Sequence, residues 1–152
     1  MPVDNCDQLM HAAWQHADRG MPEQAREDCR KAIAIAILDP RPYFLLAQLA
    51  QERGDTAQAK MLLNKVIYLD HGFIAAYLEL GGLHAQSGEH VRARRMYDTV
   101  RNALAALPPQ TSIAPYGDST AADILTFVER LLERPENVVA GADAAARSPR
   151  NA

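Results

Sequence analysis

Five histidines and two cysteines are the side chains of this sequence that could bind a metal ion. A zinc site needs three or four such ligands in one place, and a helix brings two together when they lie one turn apart. His11 and His16 are five residues apart, which is the wrong spacing for one helix face. Neither His16 nor His84 has a histidine or cysteine one turn away. The sequence therefore predicts no metal site and no cofactor.

Nucleophilic catalysis is the second chemistry to consider, and no serine or cysteine has a recognisable neighbouring base. No G-x-G occurs among the eight glycines, and strands do not alternate with helices as a nucleotide-binding domain requires. We predict that the chain is not an enzyme. Several acidic residues sit where helix ends or solvated faces explain them: Glu23, Glu27, Asp28, Glu52 and Asp55.

Charge and hydropathy limit the class of partner. A net charge of −3 and an isoelectric point near 5.9 argue against nucleic acid, which requires a concentrated basic face. No apolar run approaches membrane-spanning length, and the first residues lack a charged leader, so we expect a cytoplasmic protein that does not bind membranes. We interpret a cluster of arginines as a solvated outer face, with contact to an acidic partner as the alternative: Arg92, Arg94, Arg95 and Arg101.

A register of 34 residues organises the chain from about residue 4 to 106. Glycine recurs at this period, with alanine five residues after it and a small residue seven before it. Each unit is predicted to be two amphipathic helices joined by a turn at the glycine, in contact at the small residues. The aligned positions are Gly20, Gly54 and Gly88; Ala25, Ala59 and Ala93; and Ala13, Ala47 and Gly81.

These positions resemble the tetratricopeptide repeat (TPR) family. The resemblance implies an all-α fold, a right-handed α-solenoid of three helix pairs, in a domain of residues 4–134 with repeats at about 6–39, 40–73 and 74–107. Ile37, His71 and Ala105 replace the closing proline of the family pattern. This departure leaves the angle between repeats open.

Local signals predict where the helices begin and end. Asp4 is expected to cap the first helix, Pro22 and Pro40 to begin the second and third, and Asp55 to cap the fourth. After a proline-rich loop, a capping helix at about 119–134 is expected to cover the apolar end of the last repeat. Residues 135–152 have no periodicity and are predicted to be a disordered tail.

The segment from Cys29 to Glu133 is also similar to the C-terminal TPR module of CheR-type chemoreceptor methyltransferases. The similarity rests on Val66-Ile-Tyr-Leu-Asp70, on Arg94-Arg-Met-Tyr97, and on a long last TPR helix, a proline loop and one more helix. It implies a regulatory role in a bacterial chemotaxis-like signalling pathway, with a methyltransferase domain or a chemoreceptor as partner. The methyl-donor site of that family lies in a separate domain. Whether this chain is a fragment of such an enzyme or free-standing stays open, as does its oligomeric state.

The first helices of successive TPR units line a concave groove in the family, and the register identifies its inner positions. These include the chain's single tryptophan, other large apolar residues and amides, which suits a site for a protein or peptide segment. The alternative is that some of these side chains pack between repeats or under a terminal segment. A chaperone that holds a secreted or labile protein is the second function considered. The predicted groove residues are Met10, Trp14, Arg41, Phe44, Gln48, Gln51, Leu78 and Gly82.

Overall fold

The computed structural model describes residues 2–137, with side chains from residue 5 onward. Apart from an isolated bridge between Ser112 and Thr120, this part of the chain contains no β-structure, and the predicted all-α class is confirmed. The described residues form two compact units that divide between Ala76 and Tyr77. The helices are α1 (Pro2–Asp18), α2 (Pro22–Ile35), α3 (Pro40–Glu52), α4 (Thr56–Leu69), α5 (Ile74–Gln86), α6 (His90–Ala105) and α7 (Ala121–Leu132).

Most of the predicted helix starts are confirmed, because capping is a local interaction. Pro22 and Pro40 are the first residues of α2 and α3, and the Asp55 carboxylate accepts a hydrogen bond from the Gln58 backbone N–H at the start of α4. The predicted cap at Asp4 is wrong: α1 begins at Pro2, so Asp4 lies inside the helix.

The turn between the helices of each pair depends on glycine. Gly20, Gly54 and Gly88 have φ of 72°, 81° and 77°, a conformation that other residues adopt only with strain. Ala13 and Ala25, the small residues on either side of the first turn, are fully buried. The glycine turns and small positions therefore build the helix pairs as the register predicts.

The core of the first unit lies among α1, α2 and α3. Cys29 is fully buried there, and burial raises the pKa of its thiol to about 12. Both cysteines are free thiols. The cluster consists of Cys6, Met10, Ala13, Ala25, Cys29, Ala32, Leu45 and Leu49.

In the second unit, α5 and α6 approach closely at Gly81, and α7 packs against α6. The start of α7 carries a capping box, in which Thr120 and Asp123 exchange hydrogen bonds. The buried face of α7 consists of Ala121, Ile124, Val128, Leu131 and Leu132.

The predicted tail of residues 135–152 starts too early. Residues 135–137 are helical, and Asn137 is buried. Its side-chain amide donates a hydrogen bond to the Leu131 carbonyl at 2.6 Å, and its own carbonyl accepts one from Arg94 at 3.0 Å. These bonds fix the chain beyond α7. Residues 138–152 lie outside the described residues.

Candidate functional site

Two of the predicted groove residues belong to the core instead. Met10 is 2% exposed within the first-unit cluster, and Phe44 is completely buried, with its ring centroid 5.1 Å from that of Phe73. Their exposure in an open groove was therefore a wrong expectation. The physical reason is that both side chains have apolar neighbours to pack against, and removing apolar surface from water stabilises the fold.

Three other predicted positions of the first unit stay accessible. Trp14 on α1 is partly exposed, and one side of its indole packs against the core cluster. Gln48 stands at the same register position on α3 and is also partly exposed, as is Gln51 one turn later. Helices α1 and α3 are in contact. Helix α1 therefore offers an anchored aromatic surface, and α3 offers two amides that can donate and accept hydrogen bonds.

Arg41, the remaining first-unit residue of the prediction, is exposed but held by two carboxylates. Its guanidinium donates to Asp7 on α1 at 2.8 Å and to Asp39 at 2.7 Å. Cys6 donates a weak hydrogen bond to the same Asp39 carboxylate at 3.4 Å. Burial raises the pKa of Asp39, but hydrogen bonds from the Arg41 side chain and backbone N–H outweigh it and hold the pKa below its usual value. Arg41 therefore joins α1 to the start of α3.

Leu78 and Gly82 lie in the second unit, on α5. Leu78 is partly exposed, and a side-chain Cβ atom at Gly82 would meet no atom within 4 Å. Open space above a helical glycine leaves the backbone accessible to a ligand. The surface of α5 is therefore accessible at these two positions.

Two histidine–acid contacts were missed by sequence reasoning. The Nδ1 atom of His16 lies 2.6 Å from the carboxylate of Asp28, and that of His84 lies 3.1 Å from Glu89. The first contact joins α1 to α2, and the second joins α5 to the N-cap residue of α6. Asp28 was interpreted as a solvated acid, and no local pattern in the sequence signals its pairing with a residue twelve positions away.

The arginine cluster on α6 is largely engaged within its own unit. Arg92 pairs with Glu89, Arg101 pairs with Asp98, and Arg94 donates to the Asn137 carbonyl. Because these guanidinium groups have acceptors nearby, the predicted solvated face is also a network of ion pairs. Exposed pairs of this kind contribute little to stability individually.

The described residues contain neither a metal-ion site nor a helix able to span a membrane. Within residues 2–137, no three histidine, cysteine or acidic side chains come together in a geometry that fits a metal ion. None of the helices α1 to α7 combines the length and the apolar character that crossing a bilayer demands.

Comparison with known proteins identifies the second helix pair. Residues 40–71 match the sequence profile of the tetratricopeptide repeat. The match spans α3 and α4. A probable biofilm formation methyltransferase, WspC of Pseudomonas putida, is 27% identical over 100 residues, which are 66% of this chain and 24% of that protein. The chain thus spans about a quarter of the length of this relative.

Solved structures share the fold over most of the chain. The type III secretion translocator chaperone SycD of Yersinia enterocolitica matches with a TM-score of 0.71 and 18% identity, covering 86% of this chain and 90% of that one. SycD in complex with a peptide of the translocator YopD matches with a TM-score of 0.64 and 17% identity, covering 86% and 96%. At such identities the likeness concerns the fold, which is of the TPR type.

Proposed function

We propose that the chain is a non-catalytic, cytoplasmic protein-interaction module that binds a protein segment on the inner helices of its TPR-type pairs. The observation that carries the proposal is Trp14, a large aromatic residue that is partly exposed although a packed core lies directly beneath it. Aromatic residues held rigidly at a surface lose little conformational entropy on binding and are common anchors of interfaces. Gln48 and Gln51 supply hydrogen-bonding groups on α3, which is in contact with α1.

We further propose that the module acts in a bacterial chemotaxis-like signalling pathway, as the regulatory TPR part of a receptor methyltransferase does. The similarity to the WspC methyltransferase supports this assignment. A methyltransferase domain or a chemoreceptor is then the partner, and it would contribute the segment that covers Trp14. No catalytic step is assigned to the chain itself.

The test uses the fact that Trp14 is the only tryptophan of the chain. The chain labelled with 5-fluorotryptophan is titrated with a purified methyltransferase domain and with the signalling domain of a chemoreceptor from the same genome. Binding at the inner helices should shift the single fluorine resonance. Trp14→Ala should weaken binding by more than about 2 kcal/mol.

Tyr68→Ala is the matched control, because Tyr68 is an aromatic residue of α4 that is 74% exposed and lies off the inner helices. Its removal should leave affinity unchanged. Circular dichroism of each variant establishes that the fold persists. Equal losses from both substitutions, or a fluorine resonance that does not move in a saturated complex, would refute the inner-helix site.

A chaperone that holds a secreted protein is the second candidate function. The match to SycD favours this candidate, because it covers 90% of the length of that chaperone. The match to the WspC methyltransferase covers only 24% of that protein. If the chain is a chaperone, it should bind an apolar segment of a translocator-type protein and keep it soluble when the two are co-expressed. Binding of such a segment without binding of either signalling partner would favour this candidate.

A further inference from the structure

Helix α4 exposes large apolar side chains on a face that carries little charge. Met61 is 62% exposed and Tyr68 is 74% exposed. They stand four residues before and three residues after Lys65, so the three side chains lie on one side of the helix. We call Met61, Lys65 and Tyr68 the α4 strip. Lys65 is the only charged member of the exposed residues of α4, which are Ala57, Gln58, Met61, Asn64, Lys65 and Tyr68.

The repeat scaffold does not require large apolar residues in the α4 strip. At the place of Met61 the other two repeats have charged residues, and at the place of Tyr68 they have smaller ones. Exposed apolar side chains that come together in a patch are typical of interaction surfaces. In the 34-residue register, Met61 aligns with Glu27 and Arg95, and Tyr68 aligns with Ala34 and Asn102.

The ammonium group of Lys65 is held by two aromatic rings. Its Nζ atom lies 5.6 Å from the ring centroid of Tyr68 and 5.8 Å from that of Tyr43 on α3. Both distances fit a cation–π contact, which restrains the long side chain without neutralising its charge. Within residues 5–137 this ammonium forms no ion pair with a carboxylate. The strip therefore presents a positioned positive charge that lacks an acidic partner.

The apolar surface extends from the α4 strip across Tyr43 to the turn before α3. The Tyr43 hydroxyl donates a hydrogen bond to the Ile37 carbonyl at 3.3 Å. Ile37 and its neighbour Leu38 are both exposed large apolar residues. The surface is thus wider than one helix face.

We infer that the α4 strip binds an amphipathic helix of a partner protein, in which an acidic residue lies between two apolar residues seven positions apart. Met61 and Tyr68 are also seven positions apart, which is about 10 Å along a helix axis. A helix that runs along α4 can therefore cover both with apolar side chains and bring its acid to Lys65. Two copies of this chain paired through the strip would supply no acid, because the exposed face of α4 has none.

The experiment titrates the full chain with an alanine-based helical peptide of about 20 residues, long enough to be helical in water. The peptide carries two leucines seven positions apart and a glutamate between them, and a second peptide has lysine in place of the glutamate. NMR follows the Met61 methyl signal and the Tyr68 ring signals and gives both affinities. The glutamate peptide should shift these signals and bind about fivefold more tightly than the lysine peptide.

Lys65→Glu should invert this preference, so that the lysine peptide binds more tightly than the glutamate peptide. Lys31→Glu is the matched control, because Lys31 is exposed and aligns with Lys65 in the register but lies on α2. It changes the net charge equally and should keep the original preference. Met61→Glu should abolish binding of both peptides with the circular dichroism unchanged, since the first repeat has Glu27 at that place.

Three results would each overturn the inference. The first is equal affinity for the two peptides, or an inversion that Lys31→Glu also produces, since either means non-specific attraction. The second is self-association in analytical ultracentrifugation that Met61→Glu removes, because a second copy would then cover the strip. The third is peptide binding that shifts signals of Trp14 but not of Met61. Trp14→Ala should leave peptide binding intact, so the inference does not depend on the inner-helix site.

Discussion

Two adjacent glycines on α5 are expected to respond in opposite directions to the same substitution. A Cβ atom added to Gly81 would lie 2.6 Å from Cε1 of Tyr97 and 3.2 Å from Cβ of Met96. A Cβ atom added to Gly82 would meet nothing within 4 Å. Gly81→Ala and Gly82→Ala therefore share a helix and a chemical change but differ in packing.

The magnitudes follow from two opposing terms. Alanine is better than glycine inside a helix by about 1 kcal/mol, so Gly82→Ala should raise the free energy of unfolding by about that amount. Gly81→Ala gains the same propensity but overpacks the helix contact, which costs about 1–3 kcal/mol. The Tyr97 ring cannot swing aside, since the residue is 3% exposed. We expect the two variants to differ by about 1–3 kcal/mol.

Urea denaturation followed by far-ultraviolet circular dichroism measures both values under one condition. Similar denaturant slopes would establish that the comparison concerns the native state. In a Tyr97→Leu background, the penalty of Gly81→Ala should shrink, because a smaller side chain relieves the contact. If Gly81→Ala stabilised the chain as much as Gly82→Ala does, the close approach of α5 and α6 at Gly81 would be refuted.

Three further predictions concern the ends and links of the fold. The stability that the Asp39 carboxylate contributes is fully present above about pH 5 and is lost as the pH falls through its lowered pKa. In urea titrations, the wild-type chain should therefore exceed Arg41→Met in free energy of unfolding by less below about pH 4 than at neutral pH. A difference that stays constant with pH would contradict this. Thr120→Ala removes the capping box and should cost about 0.5–2 kcal/mol by thermal unfolding, whereas an unchanged midpoint would show that the cap is dispensable. A chain ending at Leu107 lacks α7, which packs against α6, so it should aggregate in light scattering or unfold without cooperativity in calorimetry. A chain ending at Asn137 should do neither. If the two chains behaved equally, α7 would instead serve to bind a partner.

Much of the fold is predictable because the signals are local. A glycine seven residues after one small residue and five before another sets a turn and a helix contact, as at Gly20. Prolines and capping acids act within one turn, so Pro22, Pro40 and Asp55 were placed correctly. The exception is α1. Aspartate often caps a helix, but α1 begins at Pro2, so Asp4 lies inside it.

The candidate site was harder to predict, because accessibility depends on distant neighbours. The register assigns Trp14 and Phe44 to the inner helices alike, but only Phe44 meets another aromatic ring, from Phe73. Periodicity describes one helix pair, whereas burial and charge depend on which pairs are neighbours.

The ion pair between Asp7 and Arg41 gives the 34-residue repeats a fixed order. The two residues are 34 positions apart, so they occupy the same place in successive repeats, yet they carry opposite charges. At that place the third repeat has a buried alanine, Ala75. A chain made by copying the first repeat would set two carboxylates side by side, and one made by copying the second would set two guanidinium groups together. The repeats are therefore not interchangeable, and lengthening this protein by duplication would require new charges where the copied repeats meet.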